Sequence, residues 1–513
     1  MIIAAFDFGT TGCKAAFYQE NGSTDATVYH EYPTYFPQKG WVEQDPWQWR
    51  SVFIRSTEEL LEKTGISPNQ IACIALSGHM MGCVPVDTEG TPLTNRVMLW
   101  ADTRCEAQAQ LLIRKLGWER FYRDTGGGLD IILYPAAKIP WIKENQPEIY
   151  QKAAKFLGTK DTIAAWLTGN LATDFSEASD TGFFHLEKKC WHEDFLRELE
   201  IDRGKMPDLL PSTKIVGTLT TEAARDTGLV SGIPVVIGGG DVVCGAVGAG
   251  AIAEGCSCMN IGSAGWISVV SRDPIIDLRT RPMTICHVVP GLYTSQIIMY
   301  SAGVAYKWAR DAIYLQDGDS RTNIGEGQIF DAMDKLAESA PPGSKGLLFL
   351  PYLRGGGAPY YDVNARGSFL GLHLAVRKAE ILRSVLEGVA FNMRLMMNSL
   401  ERKLSINDII IYGGGSRSTL WKKIFANILN KNIVTLSAQQ EVNTIGAALI
   451  GGVGLGIFSD FSEVSRFVTI KEIESPDTDL SRLYDELFMV FEHAYEDVAG
   501  IFKNLGETRA SSL

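Results

Sequence analysis

Pro234-Val235-Val236-Ile237-Gly238-Gly239-Gly240-Asp241 is the stretch on which the reading of this chain turns. A short apolar, β-branched run bounded by glycines reads as a buried strand. Glycines at its end allow positive φ and let a ligand approach the backbone closely. An acid at the carboxyl end of a strand lies where open α/β sheets hold their ligands. Taken alone, the same residues also describe a turn whose aspartate caps the next helix. A small-residue segment follows, from Cys244 to Ala251.

Working outward, two other places repeat part of this pattern. Residues 2–8 read as a strand, Gly9-Thr10-Thr11-Gly12 as a turn, and Lys14 to Tyr18 as a returning strand. Cys256 to Ile261, Gly262-Ser263-Ala264-Gly265 and Trp266 to Val270 repeat that hairpin in the middle of the chain. The recurrence predicts two similar halves, divided near residues 250–255. Between them, Asp45-Pro46 starts a helix, Ile71 to Leu76 is a buried strand ending in Ser77-Gly78-His79-Met80-Met81-Gly82, and Asp102 is placed as the N-cap of a helix. In the second half the pattern predicts helices over about 301–314, 378–400 and 418–430, and a strand over 409–412. A polar connector is expected around Asp317–Gly327, a small-residue helix opens at Asn443, and a packing helix closes the chain over about 478–505.

With 513 residues there is room for several cores, and the balance of 48 basic against 60 acidic residues, net −12, argues against a nucleic-acid or anionic-membrane partner. The chain shows no apolar run of eighteen residues, and its N-terminus enters a strand at once, so a cytoplasmic protein is expected. The nine cysteines lie in apolar contexts, as reduced core thiols do.

Three glycine-rich turns, at 9–12, 262–265 and 413–415, each follow a strand and carry or adjoin a Ser or Thr hydroxyl. Freed backbone N–H groups of this kind cradle anions. The turn at 413–415 also leads into a helix start, which favours negative groups. No Walker A loop occurs, and none of the three is a Rossmann fingerprint. Together they predict a nucleotide phosphate site.

These residues resemble the FGGY carbohydrate kinase family, in its xylulokinase-like branch. Asp7-Phe8-Gly9-Thr10-Thr11-Gly12-Cys13-Lys14 is similar to its first phosphate motif and Ile261-Gly262-Ser263-Ala264-Gly265 to its second. Gly238-Gly239-Gly240-Asp241 is similar to its catalytic motif, and Gly413-Gly414-Gly415-Ser416-Arg417-Ser418 with Leu420-Trp421 to its adenosine motif. Trp41 to Pro46, Ser77 to Gly82 and Leu99 to Arg104 also match. The matches run in order from residue 7 to about 450.

The resemblance implies an α/β fold of two actin-like (ribonuclease H-like) domains flanking a deep cleft, taken here as residues 1–252, with the sugar site and catalytic aspartate, and 253–513, with the ATP site. It implies ATP and Mg2+, and phosphoryl transfer to the hydroxyl of a sugar, foremost a ketopentose such as D-xylulose. Gluconate, ribulose, another linear polyol or a signalling sugar are the alternatives. Asp241 would be the general base and Asp7 would help to hold the metal. Gly9, Thr10, Thr11, Lys14, Gly262, Ser263, Gly414, Gly415 and Ser418 would contact the nucleotide. His79, Met80, Trp100 and Asp102, with Asp241, would line the sugar pocket. The partners are the sugar and ATP, with no nucleic acid and no membrane, and with a homodimer left open.

The departures fall in the sugar pocket. His79-Met80-Met81 stands where the xylulokinase pattern has Gln-Met-His, and Val242 follows the catalytic aspartate where that pattern has Asn. Gly355 to Pro359 lacks the family's Glu-Arg. Each residue type also has an ordinary structural use. His79 could be a satisfied histidine at a strand end, Met80 packing, Trp100 a buried aromatic, Asp102 a cap and Lys14 an exposed strand lysine. A non-catalytic sugar or nucleotide sensor on the same fold is the competing function class.

Overall fold

The computed structural model describes residues 1–315, 325–402 and 404–510, without the side chains of 509 and 510. Most of the connector expected at Asp317–Gly327 therefore lies outside the described residues. In the first half the chain forms β1 (Ile2–Phe8), β2 (Gly12–Gln19), β3 (Thr24–Glu31), α1 (Pro46–Thr64), β4 (Ile71–Gly78), α2 (Thr159–Thr168), α3 (Phe175–Ser179), β5 (Ile215–Thr218), β6 (Pro234–Gly240) and α4 (Asp241–Gly248). The strands lie in the order β5-β6-β4-β1-β2-β3. β1, β4 and β6 are parallel, β2 and β5 run antiparallel to them, and β3 pairs antiparallel with β2. Every residue of β1 is buried. That is why it reads as a continuous apolar run rather than an alternating one: both faces of the sheet are covered.

The second half adds β7 (Ser257–Ile261), β8 (Gly265–Ser271), β9 (Met283–Cys286), β10 (Tyr293–Met299), α5 (Lys378–Leu400), β11 (Asp408–Tyr412), α6 (Thr419–Leu429), β12 (Asn432–Leu436), α7 (Val442–Gly454), β13 (Ile470–Glu474) and α8 (Thr478–Ala510). Its sheet runs β9-β10-β8-β7-β11-β12-β13. β7, β11 and β12 are parallel, β8 and β13 run antiparallel to them, and β10 pairs antiparallel with β8. The centre of each sheet is thus the same: a hairpin whose first strand pairs with a parallel strand, which pairs in turn with another. The expected α/β pair of actin-like domains is the observed architecture.

α1 shows how locally the chain encodes its elements. The Asp45 carboxylate accepts the Trp47 N–H at 3.0 Å, Pro46 occupies the first turn, and Gly65 ends the helix in the left-handed region. Phe53 of α1 then stacks on Phe6 of β1 at 4.1 Å, a pair worth about 0.5–1.5 kcal/mol beyond its buried area.

Three expectations are corrected. Asp102 does not cap a helix, because the next helix starts at Glu106, and the Asp102 carboxylate is bound to Arg104. Asp241 does not cap one either: β6 runs through Gly240, which is itself the N-cap, and Asp241 is the first helical residue. The helix expected over 301–314 is regular only from Gly303 to Ala309, and widens into a π turn over Arg310–Tyr314.

A helix crosses from the second half onto the first. α7 belongs to the second half by sequence but lies on the first sheet. Gly451 rests against Ala75, and Thr444 bonds the Tyr18 hydroxyl at 2.9 Å. α4 and α7 touch backbone to backbone, and a side chain at Gly446 would collide with the Cys244 carbonyl.

Candidate active site

Three parallel strands of the first sheet deliver their carboxyl ends to one place. The register pairs Asp7 with Ser77, and Gly78 with Gly240. Asp7, the 77–79 segment and Asp241 therefore come together although they are far apart in sequence. Gly238, at φ +72°, lets β6 close against β4: a side chain there would strike the Leu76 carbonyl. The Ser176 hydroxyl receives the Gly240 N–H at 3.0 Å and holds the turn.

Asp7 is buried. Its two oxygens accept hydrogen bonds from the Ser77 hydroxyl at 2.7 Å and from the Asn443 amide at 3.1 Å. Burial raises its pKa, and those two bonds oppose the rise. Asp241 is half-buried, and one of its oxygens takes the following Val242 N–H at 2.8 Å. Burial first, then the charge of Asp7, push its carboxyl up to about 7. A carboxyl poised there can take a proton at neutral pH. Two carboxyls sharing one buried spot also form the hard oxygen set that suits a divalent cation.

The second half supplies a different surface. Gly262, Ser263, Gly414, Gly415 and Ser418, all expected nucleotide contacts, line one pocket of about 390 Å³. Tyr306, Phe330 and Trp421 add aromatic walls, with Tyr306 5.7 Å from Phe330 and 5.8 Å from Trp421 between ring centres. Asp334 also lines it and accepts the Tyr306 hydroxyl at 2.9 Å. Ser418 caps α6, its hydroxyl taking the Trp421 N–H at 3.0 Å. The small residues leave room, the aromatics offer flat apolar faces, and the glycine turn runs into the start of α6; these features fit a nucleotide.

Gly9, Thr10, Thr11 and Lys14 sit at the tip and second strand of the first hairpin. The Gly9 carbonyl accepts the Tyr32 hydroxyl, the Thr10 carbonyl accepts the Gln44 amide at 2.6 Å, and the Thr11 hydroxyl meets that of Tyr29 at 2.9 Å. Lys14 donates to the Gln440 carbonyl just before α7, so it spans the two halves. Trp100 is 42% exposed, and its indole N–H reaches the Thr10 hydroxyl at 3.1 Å. Met80 packs against Gly240 beside Asp241.

Two expected sugar contacts are spent elsewhere. Both oxygens of Asp102 are occupied by Arg104 and by the Val42 N–H, at 2.6 to 3.1 Å, with the residue wholly buried. Arg104 also pairs with Glu43 at 2.6 Å and stacks over Trp41. His79 is 1% exposed, bonded to the Thr159 hydroxyl at 3.1 Å and set edge-on to Trp49. Burial, with Lys138 adding to it, pushes its imidazole down to about 4, so it is neutral.

The sequence reading missed Asn443, Asp334, the aromatic walls Tyr306 and Phe330, and a buried acid, Asp180. It quoted Asn443 only as a helix start, and only the fold brings that residue to Asp7. Among the described residues, Asp124, His185 and His192 lie within metal-ligand distance of one another. His192 accepts the Phe195 N–H on Nδ1 and therefore donates from Nε2 to Asp124, at 3.1 Å, which closes that nitrogen to a metal. No helix among the described residues is long and apolar enough to cross a membrane.

Residues 2–248 match the N-terminal domain of the FGGY family of carbohydrate kinases, and residues 259–455 match its C-terminal domain. A xylulose kinase of Lactococcus lactis is 30% identical over 515 residues, 98% of each chain. A gluconokinase of Bacillus subtilis is 30% identical over 491 residues, 94% of each. The structure of ligand-bound xylulose kinase from Lactobacillus acidophilus superposes with a TM-score of 0.90 at 28% identity, covering 98% of this chain and 99% of that one. With paired carboxylates at the ends of one sheet, glycine turns at the ends of the other, and both family domains matched in order, this chain belongs to the FGGY family of carbohydrate kinases, in its xylulokinase-like branch.

Proposed function

We propose that this kinase moves the γ-phosphoryl group of ATP to a hydroxyl of a ketopentose such as D-xylulose, with Asp241 as general base. The observation that carries the reading is the Asp241 carboxyl, held near 7 at the end of β6 beside Asp7. Phosphoryl transfer asks the protein for placement, charge neutralisation and one positioned base, rather than for a covalent nucleophile. Asp241 would accept the sugar hydroxyl proton while Trp100 and Met80 border the acceptor. Thr10, Thr11, Gly262 and Ser263 would present backbone N–H groups and hydroxyls to the phosphates, with Gly9 shaping the first turn through its N–H to the Gly12 carbonyl. Gly414, Gly415 and Ser418 would lie along the adenosine. Lys14 would orient the junction of the halves through Gln440.

Asp7 would hold Mg2+, with Asn443 and Ser77 fixing the rotation of its carboxylate. When bound, the cation supplies positive charge against the transferring phosphoryl group. On this reading residues 1–252 carry the acceptor site and 253–513 the nucleotide site.

The test is ADP release with Mg·ATP and a panel of D-xylulose, D-ribulose, D-gluconate and ribitol. Sugar-dependent ADP release, largest with D-xylulose, is expected. A protein that binds ATP and releases no ADP with any of them would be a sensor, and the reading would fall.

A further inference from the structure

The buried acid next to Asp241 has no partner. Asp180 follows α3, whose Ser176 hydroxyl braces the Gly240 N–H, so it belongs to the segment that supports the catalytic turn. Its side chain is 1% exposed, its Oδ1 is buried without a hydrogen-bond partner, and it forms no ion pair among the described residues. A buried polar atom left this way is costly, and in native proteins it calls for an explanation. Lys138, also wholly buried, is the cation that acts on it. Lys138, however, donates to the Met81 and Leu99 carbonyls, at 3.0 and 2.6 Å, and does not reach the Asp180 carboxyl.

Asp180 therefore feels the charge of both a catalytic carboxyl and a lysine, and pairs with neither. Met80 and Met81 tie the same neighbourhood together: Met80 packs on Gly240, and the Met81 carbonyl holds Lys138. Burial, followed by the charge of Asp241, lifts Asp180 to about 8, and Lys138 opposes the rise. In its acid form this group donates a hydrogen bond, and in its ionised form it accepts one. A substrate hydroxyl can answer either. Ionised, however, it finds no donor on a substrate carboxylate and meets like charge there.

We propose that Asp180 is a specificity-determining residue of the acceptor site, hydrogen-bonding a hydroxyl of a neutral polyhydroxy ketone at a carbon other than the one phosphorylated, and selecting such sugars over sugar acids. This rests on the acceptor role given to Asp241 above. A site built to pair a hydroxyl rejects a partner that leaves its polar group unmatched far more strongly than an apolar pocket can.

Asp180→Asn and Asp180→Ser, each checked for an unchanged melting profile and KM for ATP, are assayed with D-xylulose, D-ribulose and D-gluconate. The expected result is a KM for the neutral ketoses raised about tenfold or more, with kcat within about threefold. The ratio of kcat/KM for ketose over gluconate should fall by at least about tenfold. A merely structural Asp180 would lower stability and leave that ratio alone. A ratio within about twofold of the wild type in both variants would overturn the proposal, as would a wild-type preference for gluconate. A wild type inert toward every sugar would sink the phosphotransfer reading and this role with it, and that result needs no variant to recognise.

Discussion

The two sheets share the centre of their topology but end in opposite chemistry. In the first, the parallel strands β1 and β6 finish at Asp7 and Asp241, carboxyls that burial lifts, with the charge of Asp7 lifting Asp241 further. In the second, β7 and β11 finish at Gly262-Ser263 and Gly413 to Gly415, where the turns themselves carry no charged side chain, only small residues, a hydroxyl and space. One end can hold a cation and take a proton; the other can receive a polyanion. A duplicated backbone needs few changes to acquire two functions, provided that they fall at the strand ends, where side chains leave the packed core.

Removing the acid from the first sheet should have the largest effect. Asp241→Asn is expected to lower kcat by about 10²-fold or more, the usual cost of a lost general base, while ATP binding stays within about threefold. In the wild type, kcat/KM should fall about tenfold per pH unit below pH 7, because Asp241, held up to about 7, must be ionised to act. A pH-independent rate between 5 and 7 would remove the base role. Filling the second sheet's turn should have a smaller and different effect. No atom lies within 4 Å of a side chain placed at Gly414, so Gly414→Val can fold and would project into the pocket. It should raise the KM for ATP by about ten- to hundredfold, as an ångström of misplacement costs in a positioned site, and leave the sugar KM within about twofold. Steady-state kinetics with each substrate varied in turn distinguishes these outcomes, and an unchanged KM for ATP would detach that turn from the nucleotide.

The smallest effect concerns stability. His79 falls from 6.5 to about 4 on folding, so the unfolded chain binds its proton first. The stability from keeping it neutral is present above pH 6.5 and is lost as the pH falls toward 4. Between pH 7 and 5 the wild type should lose about 2 kcal/mol more than His79→Gln, as read from denaturant midpoints at each pH. If His79→Gln instead changed the sugar KM tenfold with no change in acid stability, the histidine would be a sugar ligand after all.

What the sequence revealed follows from how local each signal is. Glycine runs after apolar runs marked the strand ends of both sheets. Asp45-Pro46 marked the start of α1 to the residue, and α5 fell at 378–400 as the apolar spacing required. The errors came where the deciding partner is distant or depends on the fold. Asp102 looked available because nothing in its own segment shows that Arg104 folds back on it together with Glu43, 61 positions upstream of that arginine. His79 lies at the predicted strand end, but Thr159, 80 residues on, holds its ring inside. Asp180 sat unnoticed in a polar run, because only the approach of β6 gives it Asp241 as a neighbour. The adenosine-like motif located Gly414 and Gly415, while Tyr306 and Phe330 reach the same pocket from segments that carry no motif.

The crossing of α7 onto the first sheet has a consequence for synthesis. The face of β1, β2 and β4 that Gly451 and Thr444 cover is completed by residues made some 370 positions after Cys73 and Ala75. At about 5–20 residues per second, a ribosome would expose that face for tens of seconds before its cover emerged. The first half is then the part that waits, dependent on chaperones or on provisional packing. The second half, made last, can close its own sheet almost as it leaves the tunnel. A chain ending before α7 would yield an incomplete lobe with an apolar face open to its neighbours.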